Sequence, residues 1–334
     1  MMRMILSALG LLAAGPALAE PPQVVVDTPV TASLVQQVMG DLGQVQVLLP
    51  KGASAHHHQM RPSDARGLQE AGLLVWTGPE LTPWLDRAAS SVAGDVAQLR
   101  LLEVPGTYLR GYDESHDHGH EEHGHGDGSG HGDDHAHDHD HAHDHAHGDD
   151  HAHDDGDHHA HGDVDPHAWL DPQNARLWIA AIAETLAEAD PDNAAAYRQN
   201  AETAGEGILR LEEDLRAQLQ PHAMGSFVVF HDAYGYFTDH FGLQPAIAVS
   251  LGDASTPSAA RLNEIRARIA QSGAHCAFPE YGSDPKLVQA VTEGSTVRAG
   301  RELMPEGGDL EPGPGLYAQI LGEMGGAIAD CLSQ

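Results

Sequence analysis

Imidazoles stand at three widely separated places in this 334-residue chain, each next to residues that fix the local backbone. His56-His57-His58 follows Gly52-Ala53-Ser54-Ala55 and precedes Arg61-Pro62-Ser63-Asp64. His167 lies in Asp165-Pro166-His167-Ala168-Trp169-Leu170-Asp171-Pro172, and His231 ends the apolar run Val228-Val229-Phe230 before Asp232-Ala233-Tyr234. A fourth segment, Phe278-Pro279-Glu280-Tyr281-Gly282-Ser283-Asp284-Pro285, offers carboxylates. Neutral imidazoles with one carboxylate suit a borderline dication such as Zn2+ in tetrahedral geometry. The separations from His56 to His167, His231 and Asp284 in turn are 111, 64 and 53 residues, so no local motif makes such a site. Only a fold that gathers distant loops can build it. The other imidazoles outside the His-rich stretch, His57, His58, His222, His240 and His275, read as caps or surface residues.

The elements that must do the gathering alternate along the chain. Short β-branched runs at Val24–Val26, Val45–Leu49 and Leu73–Thr77 are interleaved with helical patterns at Val30–Met39, Ser63–Ala71 and Thr82–Ala89. Such alternation predicts parallel strands with crossover helices. It resumes later, with strands expected at Ser226–Phe230, Ala246–Val249, Ala274–Phe278 and Thr296–Ala299, and helices at Ala233–Phe241, Pro257–Gln271, Pro285–Glu293 and Gly315–Leu332. Between the two sets lie an amphipathic helix from Pro172 to Glu188 and a second running from Asp190 to Pro221, long enough to bridge two lobes. The expected fold is therefore α/β, with two similar lobes, each a mainly parallel sheet flanked by helices, joined by one long backbone helix. His56 and His231 then fall at the carboxyl ends of strands, where open α/β sheets bind ligands.

Composition sets limits on partners. Fifty acidic against seventeen basic residues leave a formal charge of −33, which repels phosphate backbones and anionic lipid headgroups and excludes nucleic acid as a partner. Eighteen of the 26 histidines lie between His116 and His161. The segment 113–165 also carries 18 acidic residues and no Lys or Arg. With almost no apolar side chains it cannot bury enough surface to offset ordering entropy, so it is expected to be a disordered insertion that binds divalent ions loosely. The first nineteen residues, with Arg3, an apolar run from Met4 to Ala14 and Ala17-Leu18-Ala19, read as a secretory signal cleaved before Glu20. No stretch is long and apolar enough to span a bilayer. In an oxidising compartment the only cysteines, Cys276 and Cys331, either pair or remain as two buried thiols.

The segments GASAHHHQMRPSD, WTGPELTPWLD, DPHAWLDP, DPDNAAAYRQNA and VFHDAYGYF, in that order, resemble the periplasmic solute-binding proteins of metal-uptake ABC transporters, specifically the zinc-binding ZnuA-type branch of cluster A-I. The resemblance runs from Gln23 to Cys331 and implies a metal site in the cleft between the lobes. It carries His56, His167 and His231 over as three zinc ligands, and Asp284 as the position that supplies a fourth, carboxylate ligand in some members; others use water or a neighbouring glutamate. Manganese branches place a glutamate where His231 stands, so the resemblance favours zinc. Some zinc members carry a glutamate beside the first histidine, where this chain has Ala55. It also implies a Cys276–Cys331 disulfide, periplasmic localisation, a monomer, delivery to an inner-membrane ABC permease, and a periplasmic zinc chaperone as a further partner.

The expected organisation is thus a signal at 1–19, a first lobe at 20–112, the His/Asp-rich insertion at 113–165, a return into the first lobe at 166–189, the linking helix at 190–221 and a second lobe at 222–334. Two rival functions are a hydrolytic zinc enzyme, with Glu280 as general base, and a periplasmic zinc buffer in which the insertion is the point. Against the enzyme, there is no His-Glu-x-x-His, nucleophile elbow or phosphate loop. Against the buffer, a segment that must be ordered for every ion binds each one weakly. Deleting residues 113–163 should leave cooperative unfolding and one tight metal equivalent intact while removing the weak equivalents. Titration of both proteins by calorimetry checks this, and loss of the cooperative transition would show the segment to be structural.

Overall fold

Val24, Val25 and Val26 are wholly buried on both faces, as a strand in the middle of a parallel sheet must be. They form β1, which pairs in parallel with β2 (Val45–Val47) on one side and β3 (Leu73–Trp76) on the other. The edge strand β4 (Ala97–Arg100) completes the order β2-β1-β3-β4. The crossovers are α1 (Pro29–Met39), α2 (Pro62–Glu70) and α3 (Pro83–Val92). Each begins at a proline, whose missing N–H is no loss in a first helical turn. Thr28 caps α1 by accepting the Thr31 N–H at 3.2 Å. The sequence gives no sign of β4, because an edge strand with an exposed Ala97 and Gln98 lacks the apolar run that marks its neighbours.

The chain returns through a single 3-10 turn, Ala168–Leu170, and then α4 (Pro172–Ala189) and α5 (Ala194–Leu219). The expected helix start at Asp190 is displaced to Ala194 by a 3-10 turn over Pro191–Asn193; the Asp190 carboxylate accepts from Asn193 Nδ2 and the Tyr197 hydroxyl instead. At 26 residues, α5 is roughly 39 Å long. The second sheet has the order β6-β5-β7-β8, with β5 (Phe227–His231) between β6 (Ile247–Ser250) and β7 (Cys276–Ala277), and β8 (Arg298–Ala299) at the edge, all parallel. Helices α6 (Gly235–Phe241), α7 (Ala259–Ser272), α8 (Pro285–Thr292) and α9 (Leu316–Leu332) accompany it. Both sheets thus follow one plan, in which the first strand sits inside and the chain winds outward to both sides.

This computed structural model describes residues 21–92, 94, 96–111, 164–250 and 257–334. The expected signal at 1–19 lies outside them, as does the His/Asp-rich insertion except for Val164 and Asp165. All described residues belong to one compact unit, and no helix among them is long and apolar enough to cross a membrane. The roots of the insertion are pinched together by an antiparallel bridge between Gly111 and Val164.

Cys276 and Cys331 form a disulfide that ties β7 to the last turn of α9. It closes a loop of 55 residues. Loop-closure entropy for that length corresponds to about 4 kcal/mol. The double variant Cys276→Ser/Cys331→Ser should lose stability on that order in urea unfolding, with the midpoint of the parent falling to match it under reductant.

Candidate metal centre

The strand ends present the site. His231 is the last residue of β5 and is buried. His56 lies in the loop after β2, which carries the ladder two residues further through Leu48 and Leu49. The indole N–H of Trp84 then holds the carbonyl of Ala55 at 2.8 Å, just before His56. His167 precedes the 3-10 turn, where its carbonyl accepts the Leu170 N–H; Asp171 then caps α4 through the Gln173 N–H.

These three imidazoles converge. Ring centroids are 5.0 Å apart for His167 and His231, 5.4 Å for His56 and His167, and 6.4 Å for His56 and His231. The fourth member of the group is Glu306, and one donor atom from each of the four lies within 4.8 Å of the others. Asp284 is placed elsewhere. Exposed at the head of α8, it turns its Oδ1 to the Lys286 N–H at 3.0 Å, a capping role, and stands outside the four-residue group. It does line the same cavity of about 370 Å3, together with His57, Tyr281 and Glu306.

Two outer carboxylates fix which nitrogens face inward. Asp165 Oδ1 lies 2.7 Å from His167 Nδ1, and Glu280 Oε2 lies 2.7 Å from His231 Nδ1. Glu280 Oε2 also accepts the Tyr234 hydroxyl at 3.0 Å. With each Nδ1 engaged, the two Nε2 atoms are turned toward one another at 3.3 Å. Donors bound at 2.0–2.1 Å on two corners of a tetrahedron lie roughly 3.3 Å apart, so this pair already has the spacing of two zinc ligands. Carboxylates behind ligating imidazoles set tautomer and orientation and raise donor strength.

Electrostatics distinguish the two histidines. Burial pushes His167 well below its ordinary pKa, with the charge of His231 acting in the same direction. Burial also acts to lower His231, but the adjoining Glu280 carboxylate outweighs it, and the imidazole is raised to about 9. His231 therefore supplies the proton shared between the two Nε2 atoms and neutral His167 accepts it. Burial raises the Glu306 carboxyl and lifts Asp165 to about 7. A dication held here would displace the His231 proton and take over its work of balancing buried carboxylates.

Three of these residues have places in the structure that sequence reasoning misses. Glu280 entered only as a hypothetical general base, whereas it orients His231. Asp165 was part of the Asp-Pro-His motif without a role. Glu306, in Met304-Pro305-Glu306-Gly307-Gly308, follows no strand and starts no helix, and the one available signal is a carboxylate inside a Pro/Gly turn.

The chain matches the ZnuA family, described as the zinc-uptake complex component A, periplasmic, over residues 24–331. It belongs to that family. The high-affinity zinc uptake system protein ZnuA of Paracoccus denitrificans is 59% identical over 96% of this chain and 94% of its own length. The protein of that name in Brucella suis is 38% identical over 93% of this chain and 92% of its own. Among solved structures, the periplasmic zinc binding protein TroA from Treponema pallidum superposes with a TM-score of 0.73, at 20% identity, over 94% of this chain and all of that one. A Mn-bound periplasmic metal binding protein from Candidatus Liberibacter asiaticus does so with a TM-score of 0.70 at 19% identity, over 93% of this chain and 99% of that one. The two-lobed fold expected from the strand and helix alternation is the fold of these two structures.

Three ordinary imidazoles would titrate near 6.5 and leave ZnuA-type metal affinity almost flat above pH 7. The raised His231 changes that curve. Below about pH 9 its proton must leave when the ion enters, which costs tenfold in affinity per pH unit, whereas His167 is already neutral. Asp165 adds a second proton below about pH 7, because its raised pKa favours the protonated form until the ion arrives. The logarithm of zinc affinity should rise with a slope near one between pH 7 and 8.5 and more steeply below about pH 6.5. Competition against a chelator of known pH behaviour measures both slopes, and a flat curve above pH 7 would remove the protonated His231.

Proposed function

We propose that this protein captures Zn2+ with high affinity in the periplasm, using His56, His167, His231 and Glu306, and delivers it to an inner-membrane ABC permease. The observation that carries the reading is the convergence of three imidazoles and one carboxylate at the carboxyl ends of the two sheets. Nitrogen donors outnumber oxygen three to one, which suits zinc better than a harder ion such as manganese. The zinc-uptake names of the relatives point the same way. Glu306 takes the fourth place rather than Asp284, since its carboxylate is inside the group and that of Asp284 is engaged as a helix cap.

Four protein donors fill a tetrahedral shell, so no position is left for an activated water, and the protein is a carrier, not a hydrolase. The signal at 1–19 would direct export, with removal after Ala19. Residues 113–163, rich in His and Asp, would serve as an auxiliary store or sensor from which the tight site is filled, with a periplasmic zinc chaperone as a further source. The carrier acts as a monomer.

Removing one ligand of a metal shell costs a large part of its binding energy. His231→Ala should weaken zinc at least about a hundredfold and Glu306→Gln about tenfold to a hundredfold, on the scale of losses seen in metal shells. Asp284→Asn should stay within threefold. Chelator competition on the protein lacking residues 113–163 reads all three. Loss of the tight equivalent in Asp284→Asn with none in Glu306→Gln would exchange the two carboxylates.

A further inference from the structure

The segment between β8 and α9 carries Glu306, and its hydrogen bonds are unevenly distributed. It is rooted beside the second sheet, where the Leu303 N–H donates to the Pro279 carbonyl at 2.9 Å and the Tyr281 N–H to the Leu303 carbonyl at 3.0 Å. From Pro305 onward its ties cross to the other side. The indole N–H of Trp169 donates to the Pro305 carbonyl at 3.0 Å, and the Ala55 N–H lies 3.4 Å from Glu306 Oε2. Further along, Lys51 Nζ meets Glu311 at 3.2 Å and the Ser33 hydroxyl donates to the Pro314 carbonyl at 3.0 Å. The Lys51 contact is exposed and contributes little. The Trp169 contact is different: the indole is buried, its own carbonyl accepts the Tyr317 hydroxyl at 2.9 Å, and its ring centroid is 5.2 Å from that of His167. Gly307 and Gly308, at φ 93° and 47°, let the backbone reverse directly after Glu306, a path a side chain would resist.

We infer that Trp169 is a positioning residue that seats Glu306 on the side of His56 and His167, so that three donors form one half-site and His231 alone completes it from the second sheet. The inference rests on the proposed donor set. The segment belongs by chain order to the second lobe, yet a buried indole two residues from one ligand holds the carbonyl one residue from another. Truncating that indole would leave the Pro305 carbonyl without its donor and free the turn that aims Glu306. On this arrangement, losing His231 alone would leave an ion three donors and one open position.

The test is a double-variant cycle on the full chain, with zinc affinity by chelator competition and the visible absorption of the Co2+-loaded protein as readouts. Trp169→Phe should weaken zinc about tenfold, yet by less than twofold when Glu306→Gln is already present. Its Co2+ spectrum should shift toward that of Glu306→Gln, a change that general loosening of the fold would not produce. His231→Ala should keep one Co2+ per chain. Equal losses from Trp169→Phe in both backgrounds, or an unchanged Co2+ spectrum, would overturn the inference while leaving the donor set in place. No effect of Glu306→Gln on zinc would overturn both. If Trp169→Phe does not fold, Tyr317→Phe, which frees the Trp169 carbonyl, enters the same cycle and must show the same dependence on Glu306.

Discussion

Two buried imidazoles that face each other at 3.3 Å are an unstable arrangement unless something fixes their tautomers and balances their charge. Here each has a carboxylate behind it, Asp165 for His167 and Glu280 for His231, at 2.7 Å in both cases. Those two contacts settle which nitrogens are available and set their separation before any ion arrives. They also leave excess negative charge in a buried place, which a proton on His231 partly offsets. The cavity is thus built around a positive charge it must borrow. A dication would supply it more fully than a proton can, which would link affinity and protonation through His231.

The fold's contribution is to bring strand ends together. Parallel sheets place the carboxyl ends of all their strands on one side, and a chain that winds outward from an inner strand leaves a crevice there. The first sheet brings His56 to that rim and the second brings His231, while α4 is capped by Asp171 directly after the turn that carries His167 and Trp169. A long α5 and the α9 that is stapled to β7 through Cys276–Cys331 make the spacing between the sheets a property of rigid elements rather than of loops.

What the sequence reveals follows the same division. Inner strands such as Val24–Val26 and Phe227–His231 announce themselves because burial on both faces demands uninterrupted apolar residues. The three histidines are legible because each sits at a boundary that the pattern marks. The edge strand Ala97–Arg100 is hidden by its polar, exposed residues. Glu306 is hidden for another reason: the carbonyl just before it, that of Pro305, is held by a tertiary hydrogen bond from a tryptophan 136 residues earlier, and nothing in the local Met-Pro-Glu-Gly-Gly pattern encodes that. Asp284 looks more like a ligand in sequence, after a strand and among turn residues, but Asp followed by Pro at a helix start is also an N-cap pattern, and in the structure its Oδ1 accepts the Lys286 N–H.

The same fold surrounds manganese in one solved relative and is called zinc-binding in another, at identities too low to carry more than architecture. A change of one side chain among the few atoms at the strand ends would alter the balance of nitrogen and oxygen donors offered to an ion. His231 is the position where that balance is most exposed to change, because it is the terminal residue of a strand whose other members are packed on both sides. A carboxylate in its place would face Glu280 at hydrogen-bonding range without the imidazole between them, and two buried like charges would resist ionising together. The orienting glutamate behind His231 is thus itself a reason for an imidazole at this position.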